Sequence, residues 1–127
     1  MGKRKKRILL VEDNERNRTL EKDLLEVAGF EILEASDAAS GFAMAKKEKP
    51  DLIVMDVRLP DARGTEIARK LRSELETCNI PIIFVTASVI TDGLDEIEAL
   101  KKFGSIGFIS KPINTRTFAL EIDQYLT

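Results

Sequence analysis

Five short apolar runs alternate with segments of helical period, and this alternation constrains the fold of the 127-residue chain more than any other feature. The runs lie at 8–11, 30–33, 52–55, 82–86 and 106–109. The uninterrupted runs at 8–11 and 52–55 read as strands covered on both faces, as in a parallel sheet, and 30–33 as a further short strand. Between them, Leu20, Leu24, Val27 and Ala28 recur at helical spacing, with Asp13 or Asn14 as cap and Gly29 as stop. Ser36 or Asp37 caps a second helix, through Lys47, that buries Ala38, Phe42 and Ala45. Ile67, Leu71 and Leu75 mark a third, from about 63 to 76. Thr91 or Asp92 opens a fourth, with Leu94, Ile97 and Leu100 inward. Lys101 and Lys102 suit its C-terminal dipole, and Gly104 ends it. Asn114 opens a fifth, with Phe118, Ile122 and Leu126 on one face.

Strands alternating with helices predict an α/β fold: a three-layer sandwich of five parallel strands with helices on both faces. Right-handed crossovers leave few topologies, and the flavodoxin-like (βα)5 order 2-1-3-4-5 is the expected one. Its switch point falls between the first and third strands, where such sheets bind ligands at the strands' carboxyl ends. The first strand ends in Glu12-Asp13 and the third in Asp56. The domain is expected to span 7–127, behind a basic tail at 1–6 that reads as a solvated arm, a nuclear signal or a phosphate-binding arm.

Composition excludes several classes. A net charge of −2 gives no general attraction to nucleic acid. One cysteine, Cys78, and no histidine exclude an internal disulfide, a zinc site and a Cys–His nucleophile, and fit a reduced cytoplasmic compartment. No apolar run approaches the roughly 18 residues of a membrane span.

Carboxylates brought together repel and raise one another's pKa unless a cation neutralises them. Oxygen-only ligands select a hard ion such as Mg²⁺, which uses one or two carboxylates plus water and phosphate oxygens. The fourth strand ends in Thr86-Ala87-Ser88, a hydroxyl beside a small residue. The fifth is followed by Ser110-Lys111-Pro112, whose ammonium can pair with Asp56 or with a phosphoryl oxygen. Acid pair, lone acid, hydroxyl and lysine at four strand ends describe a Mg²⁺-dependent site where a carboxylate receives a phosphoryl group.

With those residues in view, the chain resembles a response regulator receiver domain of two-component signalling, of the chemotaxis-regulator type, from about Arg7 to Leu126. ILLVEDN resembles the family's first strand, which implies Glu12 and Asp13 as metal-side acids. DLIVMDVRLPDARG resembles its phosphoacceptor strand and loop, which implies Asp56 as the phosphorylated residue and a further metal ligand, with the backbone carbonyl of Arg58 beside it. VTAS implies Thr86 as the switch hydroxyl and Ala87 as its small neighbour; GFISKP implies Lys111 as the phosphate-binding lysine and Phe108 as the switch aromatic. The resemblance also implies a cis Lys111-Pro112 bond, Mg²⁺ as cofactor with Mn²⁺ as a substitute, and tuning of the phosphoryl lifetime by Arg58 and Ser88.

The same resemblance implies a signalling phosphoacceptor rather than an enzyme with a separate substrate. Its donor is a histidine kinase or histidine phosphotransfer protein, and its output is a downstream protein that reads the surface of the fourth helix, fifth strand and fifth helix. The expectation is a stand-alone cytoplasmic regulator, monomeric or weakly dimeric, bound to neither nucleic acid nor membrane. Two departures stand out. The segment from Thr86 to Gly104 is about three residues longer than in compact members, and Phe108 replaces the usual tyrosine.

Three alternatives compete. A pseudo-receiver would keep the fold without phosphorylation, against the complete acid, threonine and lysine set. An aspartyl-nucleophile phosphohydrolase of the haloacid-dehalogenase type wants a second Asp two residues after the first, where Arg58 stands. A flavodoxin-like cofactor binder wants a glycine-rich phosphate loop where Glu12-Asp13 stand.

Overall fold

A computed structural model describes residues 5–87, 98 and 106–126 of the chain. The expected fourth helix, opened at Thr91 or Asp92, lies outside these residues except for Glu98, which is helical, and Ser88 and the first four residues of the tail lie outside them too. Five strands, β1 (Arg7–Val11), β2 (Glu31–Ala35), β3 (Leu52–Met55), β4 (Ile82–Thr86) and β5 (Ile106–Ser110), form one parallel sheet. Its order is β2-β1-β3-β4-β5, as the alternation predicts. The described helices are α1 (Glu15–Val27), α2 (Ala38–Glu48), α3 (Gly64–Arg72) and α4 (Phe118–Gln124). None is long and apolar enough to cross a membrane.

Successive side chains on a strand face opposite ways, so each strand feeds two cores. Leu9, Val11, Ile53, Met55, Ile82 and Phe84 pack with Ala38 and Ala45 of α2 and with Ile67, Ala68 and Leu71 of α3. Ile8, Leu10, Leu52, Val54, Ile83 and Val85 pack with Leu25 of α1 and with Phe118 and Ile122 of α4. Each fully buried side chain of this kind contributes about 1.5–3 kcal/mol. β1, β3 and β4 carry the most, because both of their faces and both of their edges are covered.

The helix ends follow their local chemistry. Asn14 caps α1 by accepting from the Asn17 N–H at 2.9 Å, and Asp37 caps α2 by accepting from the Ser40 N–H at 2.8 Å. Gly29 stops α1 with φ +101°, a conformation glycine adopts without a Cβ clash.

Four expectations need correction. In α1, Leu20 is 42% exposed, Val27 is 90% exposed and Ala28 is also exposed, while Glu21 and Leu25 form the buried face. The sheet selects the i, i+4 pair that faces it, and that pair includes a carboxyl. In α3, Leu75 is 95% exposed because the helix ends at Arg72. There the Thr77 hydroxyl donates to the Leu71 carbonyl at 2.7 Å and turns the chain away. β2 starts one residue later and runs two residues further than expected, although Phe30 is still buried. α4 starts at Phe118 rather than at Asn114, whose side chain instead accepts from the Arg116 N–H and closes a preceding turn.

Candidate functional site

The parallel register brings the acids together. Val11 and Met55 are the last paired residues of β1 and β3, so Glu12 and Asp56 leave the sheet at the same end. The Asp56 N–H still donates to the Val11 carbonyl at 3.2 Å, and the Glu12 N–H donates to the Ala35 carbonyl at 3.1 Å. On the far side, Thr86 pairs with Ser110, and the Lys111 N–H donates to the Thr86 carbonyl at 3.0 Å. The Lys111-Pro112 peptide is cis, as the resemblance implies.

Lys111 crosses to the acids. Its Nζ donates to Glu12 Oε1 at 2.5 Å and to Asp56 Oδ2 at 2.8 Å. The remaining oxygens also accept: Glu12 Oε2 from the Asn14 N–H at 3.2 Å, and Asp56 Oδ1 from the Arg58 N–H at 3.1 Å. The Glu12 side chain is only 3% exposed and that of Asp56 12%. Burial pushes the Glu12 carboxyl above its ordinary value, although its bond to Lys111 pulls the other way. Burial also pulls on the Lys111 ammonium, but its bonds to Asp56 and Glu12 outweigh that and leave it raised. The lysine is therefore firmly charged at neutral pH.

The acids were expected to gather as three around a cation. Two gather, around Lys111, while Asp13 is exposed, and among the described residues no three side chains form a metal-binding group. The ammonium is itself the counter-ion between Glu12 and Asp56. The donor chemistry suits a hard cation nonetheless: carboxylates and a backbone carbonyl, with no histidine in the chain. Thr86 is buried at the end of β4, and Ala87 lines the same cavity as Lys111. Phe108 is half-buried against the core on the α2–α3 side. Arg58 is exposed and bridges backbone to backbone with Arg63.

Sequence reasoning missed three supports. The carboxylate of Asp61 accepts from the Ala38 and Ala39 N–H groups at 2.8 and 2.9 Å, tying the loop after Asp56 to the start of α2. Those two bonds hold its pKa below the usual carboxylate value. Gly64 lies so close under the loop that a Cβ there would stand 2.2 Å from the Asp56 carbonyl oxygen. Arg18 reaches back from α1, its Nη1 donating to the Glu12 carbonyl at 2.8 Å. The glycine two residues after Ala62 was the one visible signal, since a glycine opening a helix asks for a reason. The other two contacts are non-local and carry no spacing signal.

Comparison with known proteins agrees with this geometry. The family profile described as the response regulator receiver domain matches residues 8–123. The polar-differentiation response regulator DivK of Brucella anthropi is 37% identical over 121 residues, covering 95% of this chain and 96% of that protein. The chemotaxis response regulator CheY4 of Vibrio cholerae superposes with a TM-score of 0.87 at 27% identity, over 97% of this chain and all of that one. The receiver domain of the sensor histidine kinase PA1611 of Pseudomonas aeruginosa, solved with a magnesium ion coordinated in its active-site cleft, superposes with a TM-score of 0.85 at 25% identity, over 97% and 98% of the two chains.

Proposed function

The chain belongs to the response regulator receiver domain family, and on that premise we propose that Asp56 is its phosphoacceptor and Lys111 its phosphate-binding cation. The observation that carries this reading is the Lys111 ammonium held between Glu12 and Asp56 where β1 and β3 leave the sheet. A carboxylate oxygen of Asp56 attacks the phosphorus of a phosphohistidine on a histidine kinase or phosphotransfer protein. The phosphorus–nitrogen bond breaks, the imidazole leaves and takes up a proton, and an acyl phosphate remains. Little covalent work falls to the protein in such a transfer, so catalysis is positioning and charge neutralisation.

Each named side chain has a part. Lys111, already aimed at Asp56, follows the negative charge onto the phosphoryl oxygens, and the Thr86 hydroxyl donates to another. Glu12, Asp13, Asp56 and the Arg58 carbonyl would hold Mg²⁺, with Mn²⁺ as a substitute, and the ion would supply neutralisation of phosphoryl charge. Ala87 leaves room for the group, while Arg58 and Ser88 control how readily water attacks it. Phosphorylation adds roughly −1.5 to −2 charge. The pull on Thr86 and Lys111 then draws Phe108 inward and alters the surface around β5 that a downstream protein reads. Because the donor is a kinase-fed phosphohistidine, this reading places the protein in the cytoplasm.

Intact-mass spectrometry after acetyl phosphate and Mg²⁺ tests it. One added phosphoryl group is expected in the wild type, and none in Asp56→Asn or with the metal chelated. Modification that persists in Asp56→Asn would reassign the acceptor, and an unmodified wild type would favour a phosphorylation-independent binding module.

A further inference from the structure

One buried acid takes no part in this chemistry. Glu21 lies on the inner face of α1 at 3% exposure. Among the described residues its carboxyl makes no hydrogen bond or ion pair, and its oxygens are not sealed in the core. It faces a cavity of about 360 Å³ between α1 and the turn after β5. That volume falls in the range of roughly 300–1,000 Å³ typical of small-molecule sites. Leu20, Pro112 and Ile113 give the cavity apolar walls, and Asn17 and Lys111 stand at its edges.

The one cation lining the cavity, Lys111, is already bonded to Glu12 and Asp56. Burial first, then the neighbouring charge of Glu12, pushes the Glu21 carboxyl up to about 7, with Lys111 opposing and Asp56 adding to the rise. Ionised, it lacks a counter-ion. An incoming group has to be cationic, to pair with Glu21, and to carry an aliphatic stem that covers Leu20, Pro112 and Ile113.

We propose that this cavity is a binding site for an alkylammonium group, with Glu21 as the residue that pairs with the charge and Leu20, Pro112 and Ile113 as the seat of the stem. The repulsion expected from Lys111 is small, because Glu12 and Asp56 already compensate its charge. An alkylammonium can arrive as a free amine or as the side chain of a lysine, and the two sources share this chemistry.

The test is methyl NMR at Leu20 and Ile113 of the full chain at about pH 8, where Glu21 is ionised, with three probes at equal ionic strength. These are n-butylammonium chloride, N-acetyl-lysine N-methylamide and n-butanol. Saturable shifts with n-butylammonium alone would assign the site to free amines. Shifts with the blocked lysine, alone or as well, would assign it to a lysine side chain. In either case Glu21→Gln should weaken binding by at least roughly tenfold, the loss expected for a charge-assisted hydrogen bond. n-Butanol should bind wild type and variant alike. If Glu21→Gln folds poorly, Glu21→Leu, which fills the apolar wall, takes its place. No saturation with either cation, or equal affinity in the variants, would overturn the proposal.

Discussion

Arg7 and Lys111 are two cations at opposite ends of the same sheet, and each is held by acids from neighbouring elements. Where the strands enter, Arg7 Nε meets Glu31 at 3.0 Å, Nη2 meets Glu48 at 2.5 Å, and its main-chain N–H donates to Asp51 at 2.7 Å. Where they leave, Lys111 Nζ meets Glu12 at 2.5 Å and Asp56 at 2.8 Å. The partners differ in solvation: Glu31 and Glu48 are 57% and 33% exposed, but Glu12 and Asp56 only 3% and 12%. Water screens the first cluster, so its charges clasp β1 to β2 and α2 at little cost or gain. The second sits in a lower dielectric, where any change of charge is strongly felt. The cations differ to match: a planar guanidinium that holds several acceptors at once, and a point charge on a flexible stem that can follow a group added to Asp56.

The largest expected effect breaks the buried end. Lys111→Met leaves Glu12 and Asp56 without a counter-ion, so stability at neutral pH should fall by about 3 kcal/mol, measured by urea denaturation. Phosphorylation by acetyl phosphate should slow by about 100-fold. The stability deficit should shrink as pH falls, because Glu12, already raised by burial, then takes up a proton and no longer needs the lysine. A variant that phosphorylates at the wild-type rate would remove Lys111 from the site.

Next comes Glu21, buried near that end but unpaired. Its folded value of about 7 stands above the ordinary 4.5, so the folded protein keeps a proton that the unfolded chain releases. Wild-type stability should therefore drop as pH rises from 4.5 to about 7, by up to about 3 kcal/mol. Glu21→Gln cannot titrate and should flatten that part of the curve, which makes it the more stable protein at about pH 8 in amine-free buffer. Identical pH–stability curves would mean that the carboxyl is solvated after all.

Arg7→Met carries the comparison to the solvated end. Stability should fall by about 1 kcal/mol, since its partners are largely hydrated, and the phosphorylation rate should not change. A rate as low as that of Lys111→Met would show that the two ends of the sheet are coupled.

What the sequence made legible follows the same division. Glu12, Asp56 and Lys111 each end an apolar run with a charge, and parallel topology then forces them to one edge, so their meeting was readable before any coordinates. Glu21 was not, because an apolar-periodicity reading places Leu20 and Val27 inward and gives an acid no reason to turn toward the core. Leu75 misled in the opposite sense. It continues the period of α3, yet the helix has already ended where Thr77 takes the Leu71 carbonyl. The Asp61 tether to α2 joins residues more than twenty positions apart, and no local pattern announces it. The spacing of apolar residues records which elements form; it does not record which polar atoms find partners across them.

The smallest effect sharpens the comparison because it falls at the Lys111 end of the sheet without touching the charges. Asn14 follows Glu12-Asp13 directly and has two separate roles there. Its side-chain oxygen caps α1 through the Asn17 N–H, and its own N–H donates to Glu12 Oε2. Asn14→Ala removes only the first, so stability should fall by about 1 kcal/mol while the phosphorylation rate stays at the wild-type value. If the rate fell as well, the cap would be positioning Glu12 through the backbone, and closeness to the buried charges would itself confer function. If only stability fell, function at this end of the sheet would belong to the Glu12–Lys111–Asp56 charges and not to the helix beside them.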